Sequence, residues 1–422
     1  MNSTCASNSQ GEDAGVRPKP GVIDPPKTNR IARYGAAFAL LLLVVPIRQF
    51  GPWSALWTTP SILIASVFIA WGAESAQFFV AQGFALAILA WMQTLPEFAV
   101  EAVLAWKQQT ALLMANLTGA VRLLTGLAWP MIYVTAAVVH RRRTGQPLRM
   151  IELTAHQSVE VIGLLLPLVY ALLIWWKGTL ALYDAGFLVL FYVVYLGVLT
   201  RLPVTSHEEI DELEAVPRAV VTARPMWRNA AIGGLFLIGG GLIYFAAEPF
   251  LGSLIAVAAA AGIPTFVIIQ WLAPVVSEFP ELASTFYFAR QEEKASIALM
   301  NIASSNINQW TLLVAMLPVV LSLGHGSVQS LVLDPEQKRE LLLTVGQSFI
   351  SFVFLLNMEF AWWEALMLFV LFAAQFALPA WCKQYITDAF FLWTIGEFLA
   401  IAVRRKRPLA LKLLLDTLRG GS

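Results

Sequence analysis

The sequence predicts an all-α protein that crosses a membrane many times. Of its 422 residues, 58% are hydrophobic and only 13% are charged, a balance typical of membrane proteins and not of soluble globular domains. The apolar runs are as long as transmembrane helices, which need about 20 apolar residues, whereas β-barrel strands would show short alternating segments. In addition, a Pro-Glu pair interrupts an apolar run in each half of the chain.

Twelve apolar segments follow a polar, proline-containing stretch at residues 1–30, which we expect to be a disordered tail. The first half of the chain holds six segments, at residues 31–50, 54–73, 79–106, 110–138, 158–176 and 184–200. The second half holds six more, at residues 229–247, 262–289, 295–322, 341–358, 362–380 and 386–403. The last segment contains Asp388 and Glu397, and it could lie along the membrane interface instead of crossing.

The distribution of basic residues predicts the orientation of these segments. Clusters such as Arg141–Arg143 and Arg404–Arg407 fall on one predicted side of the membrane, and few Lys or Arg residues fall on the other. By the positive-inside rule, the basic side is cytoplasmic. We therefore expect an integral protein of a bacterial inner membrane, with both termini in the cytoplasm.

The arrangement of the segments indicates an inverted repeat. The polar loop at residues 201–228 separates five segments at 54–200 from five at 229–380, and five is odd, so the second group must cross the membrane in the opposite sense. Residues 31–53 and 381–422 would then be additions at each end. Two matching pairs support the repeat: Pro96-Glu97 and Pro280-Glu281 each precede an asparagine, Asn116 and Asn301, by about 20 residues.

Around these residues the chain resembles the cation/calcium exchanger superfamily, which includes the sodium/calcium exchangers. That family carries two inverted repeats that read roughly GTSLPEL, followed by a glycine- and asparagine-rich stretch. The first repeat here reads MQTLPEF and ANLTGAVRLL, and the second reads VSEFPEL and MNIASSNINQ. The resemblance covers residues 54–380, and it is closer in the second repeat than in the first.

The resemblance implies a cation site with Glu97 and Glu281 as its charged ligands. It places hydroxyl groups at Thr94, Ser277 and Ser305, and asparagines beside helix breaks at Asn116, Asn301 and Asn306. The chain departs from the family pattern with Gln93, Ala120, Leu124, Glu278 and Gln309. The candidate ligand set is Glu97, Glu281, Thr94, Ser277, Ser305, Glu278, Gln309, Asn301, Gln93 and Asn116.

These oxygen ligands suit a hard cation. Ca²⁺ takes six to eight oxygens including carboxylates, and Pro96 and Pro280 would free backbone carbonyls to complete the shell. The stripe Asn301, Ser305 and Gln309 is polar, whereas its counterpart in the first repeat is mostly apolar. The site should therefore depend more on the second repeat.

The spacing of the glutamates suggests proton coupling. Glu97 and Glu101 are four residues apart, and Glu278 and Glu281 are three apart, so each pair shares a helix face. Adjacent carboxylates in a medium of low dielectric constant do not both ionise easily without a cation. We therefore expect at least one of them to hold a proton when no cation is bound.

Arg122 lies in the middle of a predicted span and admits two interpretations. It could form a structural salt bridge with Glu101 or with another buried acid. Alternatively, its guanidinium could occupy a place that a transported cation fills in the family.

The resemblance implies secondary active transport by alternating access, in which Na⁺, or alternatively H⁺, drives the antiport of Ca²⁺ or a related cation. We expect no enzymatic activity. The predicted partners are the lipid bilayer and inorganic cations; no organic cofactor, nucleic acid or obligate protein partner is expected. Two alternatives stay open: a transporter of another cation, coupled to H⁺ or acting as a uniporter, and a transport-inactive membrane scaffold or sensor.

Overall fold

The computed structural model describes residues 51–76, 78–79, 94–199, 213–291, 294–378, 380–403 and 408–418. The predicted tail at 1–30, the predicted span at 31–50 and the part of the span 79–106 before Thr94 lie outside these residues, apart from Phe79. So does the first part of the predicted loop at 201–228. The prediction of an all-α membrane protein is confirmed for the described residues.

The described residues of the first half of the chain form seven α-helices and two short strands. Helices α1 to α7 are Ala55–Ala76, Leu95–Trp106, Thr110–Leu123, Trp129–Thr144, Ser158–Gly163, Leu165–Lys177 and Leu182–Leu199. Strands β1 and β2 are Met150–Glu152 and Thr179–Leu180.

The second half forms ten helices and two short strands in its described residues. Helices α8 to α17 are Ala215–Val221, Pro225–Ala261, Thr265–Ser277, Phe279–Ala289, Ala295–Asn308, Val314–His325, Pro335–Leu355, Trp362–Ala377, Lys383–Ala402 and Leu409–Leu418. Strands β3 and β4 are Leu331–Val332 and Glu359–Ala361. Strand β1 pairs with β4, and β2 pairs with β3, both antiparallel, so each pair connects the two halves.

Within the described part of the chain, seven helical runs are long and apolar enough to cross a membrane. They are Pro52–Ala76, Thr110–Thr144, Ala155–Lys177, Leu182–Leu199, Pro225–Ala261, Ala295–His325 and Lys383–Ala402. The predicted span 262–289 consists instead of two helices, α10 and α11, with a bend of 57° between them. Helices also form at the predicted spans 341–358 and 362–380, but α15 has only 16 residues.

One predicted boundary is wrong. The span predicted at 229–247 belongs to a continuous helix of 37 residues, α9, whose length of roughly 55 Å exceeds the hydrocarbon core of about 30 Å. Glu248 does not end the helix, and its carboxylate forms an ion pair with the exposed Lys107. A proline inside a transmembrane helix is tolerated when neighbouring groups satisfy the freed carbonyl.

A π-helical turn interrupts the same position of both predicted repeats. Helix α3 continues into the π-helical turn Leu124–Ala128, and α12 continues into Gln309–Leu313. Leu124 and Gln309 each stand eight residues after the asparagine of their repeat. Such turns are rare and are frequent at functional sites, so this matched pair supports the correspondence between the two halves.

Close packing joins helices across the two halves. Helix α1 lies along α9, and α3 lies along α10. A Cβ atom on Gly119 of α3 would lie 1.8 Å from the carbonyl oxygen of Gln270 in α10. Only glycine permits this approach, as at other close crossings of membrane helices.

We expect Gly119→Ala to destabilise the protein by about 1–3 kcal/mol, because the added methyl group must push α3 away from the backbone of α10. Thermal unfolding in detergent measures the change. Gly241→Ala is the matched control, since nothing lies within 4 Å of a Cβ there and alanine favours the helix. Equal stability of the two variants would contradict the close approach.

Candidate functional site

The candidate site forms where two helix starts meet the π-helical turn at Gln309. Helix α2 begins at Leu95 with Pro96 in its first turn, and α11 begins at Phe279 with Pro280 in its first turn. Proline has no N–H group, so each proline suits a helix start and prevents continuous hydrogen bonding with the preceding segment. The two Pro-Glu pairs therefore lie at the starts of helices inside the protein, where the helical hydrogen bonding is interrupted.

Three carboxylates and one amide form the centre of the site. Glu97, Glu278 and Glu281 are buried. The Gln309 side-chain amide nitrogen Nε2 donates to Glu97 Oε2 at 2.9 Å and to Glu278 Oε1 at 2.8 Å. Glu278 also lies beside Glu281, whose carboxylate faces the hydroxyl of Ser305. Gln309 thus connects one carboxylate from each predicted repeat.

Many oxygens at this centre have no hydrogen-bond donor among the described residues. They are Glu97 Oε1, both carboxylate oxygens of Glu281, Ser305 Oγ and Gln309 Oε1. A buried polar atom without a partner costs free energy of about 1–3 kcal/mol, and more when it is charged. Oxygens of this kind are the ligands that a hard cation prefers, so their chemistry fits a bound cation.

The carboxylates do not surround a single point. In the described ranges, no group of three or more His, Cys, Asp or Glu side chains is arranged to hold one metal ion. A cation bound here in this conformation would therefore combine one or two carboxylates with neutral oxygens, as Gln309 and Ser305 can supply.

The other candidate residues occupy varied places. The Thr94 hydroxyl accepts a hydrogen bond from Asn308 Nδ2 at 2.6 Å, whereas the Ser277 hydroxyl donates to the Ala273 carbonyl of its own helix at 3.2 Å. Asn301 is half-buried, and Gln93 lies outside the described residues. Sequence reasoning missed Asn308, although a second polar residue directly before Gln309 in an apolar span was a usable signal.

Asn116 does not join the central group. Its amide nitrogen Nδ2 donates instead to Glu101 Oε1 at 2.9 Å, and both residues are fully buried. The expectation that Asn116 supplies a cation ligand stays a prediction; in this structure its side chain contacts Glu101 of the neighbouring helix α2. Sequence equivalence with Asn301 did not account for this neighbour.

Arg122 forms a structural salt bridge with an acid far away in the sequence. Its Nη2 atom lies 2.8 Å from Glu340 Oε2, and its Nη1 atom donates to Gln375 Oε1 at 3.0 Å. The guanidinium also lies over the Trp271 ring, 5.0 Å from its centre. The salt-bridge interpretation is confirmed with Glu340 in place of Glu101, and the guanidinium makes no hydrogen bond to the central carboxylates.

Family membership follows from the sequence itself. A profile of the family described as "sodium/calcium exchanger protein" matches residues 50–201 and 232–381. The chain belongs to the sodium/calcium exchanger family. The two matched stretches agree to within four residues with the two predicted repeats of this exchanger, and they leave nearly all of both predicted additions outside. No protein with a curated description matches the chain.

Solved structures of other exchangers resemble this exchanger. An H⁺/Ca²⁺ exchanger, CAX, is 29% identical, with a TM-score of 0.84 over 94% of this chain and 100% of the other. The sodium-calcium exchanger NCX_Mj is 18% identical, with a TM-score of 0.51 over 82% of this chain and 99% of the other. YfkE is 13% identical, with a TM-score of 0.54 over 86% of this chain and 99% of the other. The last two likenesses concern the fold alone.

We expect Arg122→Met to destabilise the exchanger by about 3–5 kcal/mol, because it removes one partner of a buried ion pair. The preference among transported cations should not change, since the guanidinium bonds outside the central group. Thermal unfolding and a panel of competing cations measure the two effects. Lys383→Met is the control: Lys383 also binds Glu340 but is 26% exposed, and its removal should cost less. A changed cation preference in Arg122→Met would revive the other interpretation.

Proposed function

We propose that this exchanger moves a divalent cation of the Ca²⁺ class across the membrane in exchange for protons, by alternating access. The observation that carries the proposal is the group of three buried carboxylates, Glu97, Glu278 and Glu281. The negative charges of these three carboxylates, and the hydrogen bonds that Glu97 and Glu278 accept from Gln309, support H⁺ as the ion that is exchanged for the divalent cation.

The charge balance of the site favours exchange for protons. Three ionised carboxylates would leave one negative charge uncompensated beside a divalent cation, and all three uncompensated without it. An uncompensated charge within a membrane protein is costly. Protons remove this cost, because closely spaced buried carboxylates become neutral when no cation is present. A cation that arrives would therefore displace protons.

Gln309 connects two of the three carboxylates through its side-chain amide. Its amide N–H groups bridge Glu97 and Glu278, so they take the place of positive charge between the two carboxylates. A cation would compete with these hydrogen bonds and could recruit Gln309 Oε1, which has no donor among the described residues. Helix α2, the junction of α10 and α11, and the π-helical turn after α12 would thereby respond to the ion.

Similarity supports the same choice. The CAX structure, 29% identical over 94% of this chain, is described as an H⁺/Ca²⁺ exchanger. Coupling to Na⁺ is the second candidate, because NCX_Mj shares the fold and because neutral hydroxyl and amide oxygens suit Na⁺. We further infer inverted repeats at 54–200 and 229–380, an inner-membrane location and cytoplasmic termini.

The test is Ca²⁺ flux into proteoliposomes under an imposed pH gradient or, separately, a Na⁺ gradient. We expect a pH gradient to drive Ca²⁺ uptake, and we expect Glu97→Gln and Glu281→Gln to reduce uptake to the level of protein-free vesicles. Glu248→Gln is the control, since it removes an exposed acid outside the site. Uptake driven by Na⁺ alone would favour the second candidate, and no flux of any cation would support a scaffold or sensor role.

Glu278→Gln should lower the apparent affinity for Ca²⁺ by about tenfold, which corresponds to about 1.4 kcal/mol, because it removes one of the three charges near the ion. Glu278→Asp keeps the charge and should bind Ca²⁺ more tightly than Glu278→Gln does. Calorimetric titration of the purified protein measures both. Wild-type affinity in Glu278→Gln would place Glu278 outside the cation site.

A further inference from the structure

An apolar groove separates the exposed sides of α4 and α15. Its volume is about 390 Å³, within the range of about 300–1,000 Å³ that is usual for small-molecule sites. Apolar side chains line it almost throughout, chiefly Leu127, Met131, Val134, Trp362, Leu366 and Phe369. Three of these, Val134, Leu366 and Phe369, are exposed, and α4 belongs to a helical run that is long and apolar enough to cross a membrane. The groove therefore opens towards lipid.

The groove runs along α4 towards the basic end of that helix. Val134 stands seven residues after Leu127, which corresponds to about 10 Å along the helix. Trp362 is exposed at the start of α15, and tryptophan is enriched where hydrocarbon meets water. The basic residues Arg141–Arg143 form the last turn of α4, at the end that the positive-inside rule assigns to the cytoplasm. The groove would then extend from the cytoplasmic interface into the hydrocarbon region.

Two hydrogen bonds hold the loop after α4 at this end of the groove. Gly145 ends α4 with a φ of 74°, a left-handed conformation in which the chain leaves the helix. The Tyr133 hydroxyl, on the groove wall, donates to the Leu148 carbonyl. The Trp362 N–H group donates to the Arg149 carbonyl at 3.1 Å. The backbone of Arg149 is therefore fixed beside Trp362, at the cytoplasmic end of the groove.

Two arginines are placed to bind a negatively charged group there. Arg141 stands seven residues after Val134, close to two full turns, so both residues lie on the same face of α4. Arg141 and Arg149 are exposed, and neither guanidinium forms an ion pair within the described part of the chain. Guanidinium groups bind phosphate through two parallel hydrogen bonds, and the stems of such side chains can lie along apolar surface.

We propose that this groove binds an anionic phospholipid of the cytoplasmic leaflet, with an acyl chain between α4 and α15 and the phosphate between Arg141 and Arg149. The apolar groove and the positive charges follow one another in the order of a phospholipid's chains and headgroup. Each arginine near the membrane surface should increase the affinity for an anionic lipid about fivefold. The bound chain would also contact Leu127, which lies in the π-helical turn of the first repeat.

The test measures the lipid that the purified, full-length protein retains in native mass spectrometry, with phosphatidylglycerol or phosphatidylcholine of the same acyl chains. We expect wild type to retain one phosphatidylglycerol molecule in preference to phosphatidylcholine. Arg141→Gln combined with Arg149→Gln should weaken phosphatidylglycerol binding about 25-fold, from about fivefold for each arginine, and should remove the preference. Arg224→Gln combined with Lys412→Gln is the control, since it removes two exposed charges outside the groove.

Val134→Trp tests the apolar part of the site by filling the groove from an exposed position. We expect it to abolish the retention of phosphatidylglycerol. Val193→Trp is the matched control, because Val193 of α7 lies outside the groove and is 56% exposed, against 58% for Val134. Thermal unfolding in detergent shows whether each variant is folded.

Equal retention of the two lipids by wild type would overturn the proposal. Wild-type retention in either the double-arginine variant or folded Val134→Trp would overturn it as well. Displacement of the lipid by glycerol 3-phosphate would assign the arginines to a free phosphate ester instead. A dimer that dissociates in Val134→Trp would assign the groove to a second copy of the chain, and either result would also refute the lipid site. None of these outcomes depends on which ion drives transport.

Discussion

The free-energy cost of burying a charged side chain is the constraint on which the proposed site of this protein depends. A carboxylate in the interior of a membrane protein must be neutralised, paired or bound to a cation. Glu97, Glu278 and Glu281 are all buried, and Gln309 donates hydrogen bonds to Glu97 and Glu278. Carboxylates that lack hydrogen-bond donors or positive charges from the protein attract cations and protons, because either one compensates the buried negative charge.

The backbone is arranged around this requirement. Pro96 and Pro280 lie in the first turns of α2 and α11, each directly before a central glutamate, and a π-helical turn begins at Gln309. Each break removes regular helical hydrogen bonds at the depth of the site, and irregular backbone at that depth is tolerated where it is buried in protein or lines a cavity. The close approach of α3 to α10 at Gly119 then packs the two halves around the breaks.

The sequence was sufficient for the fold class, for most helices and for the repeat, because apolar length and paired Pro-Glu motifs are local signals. The central residues Glu97, Glu281 and Gln309 could also be predicted from the repeat. The partners of Asn116 and Arg122 could not, because they depend on tertiary packing: Glu340 lies 218 residues from Arg122. The end of α9 was misjudged for the same reason, because the ion pair between Glu248 and Lys107 joins residues 141 apart in the sequence.

The buried Arg122 guanidinium and the buried Glu281 carboxylate differ in how many hydrogen-bond partners they have. We use this difference to distinguish a structural ion pair from the proposed cation site. The Arg122 guanidinium has four acceptor contacts and an aromatic ring beside it, and Glu340 also binds Lys383 and Gln270. A fully paired group gains nothing from an ion. Glu281, by contrast, has two carboxylate oxygens without donors among the described residues. Buried charge alone is therefore not the basis for the proposed cation site; the unsatisfied oxygens of Glu281 are.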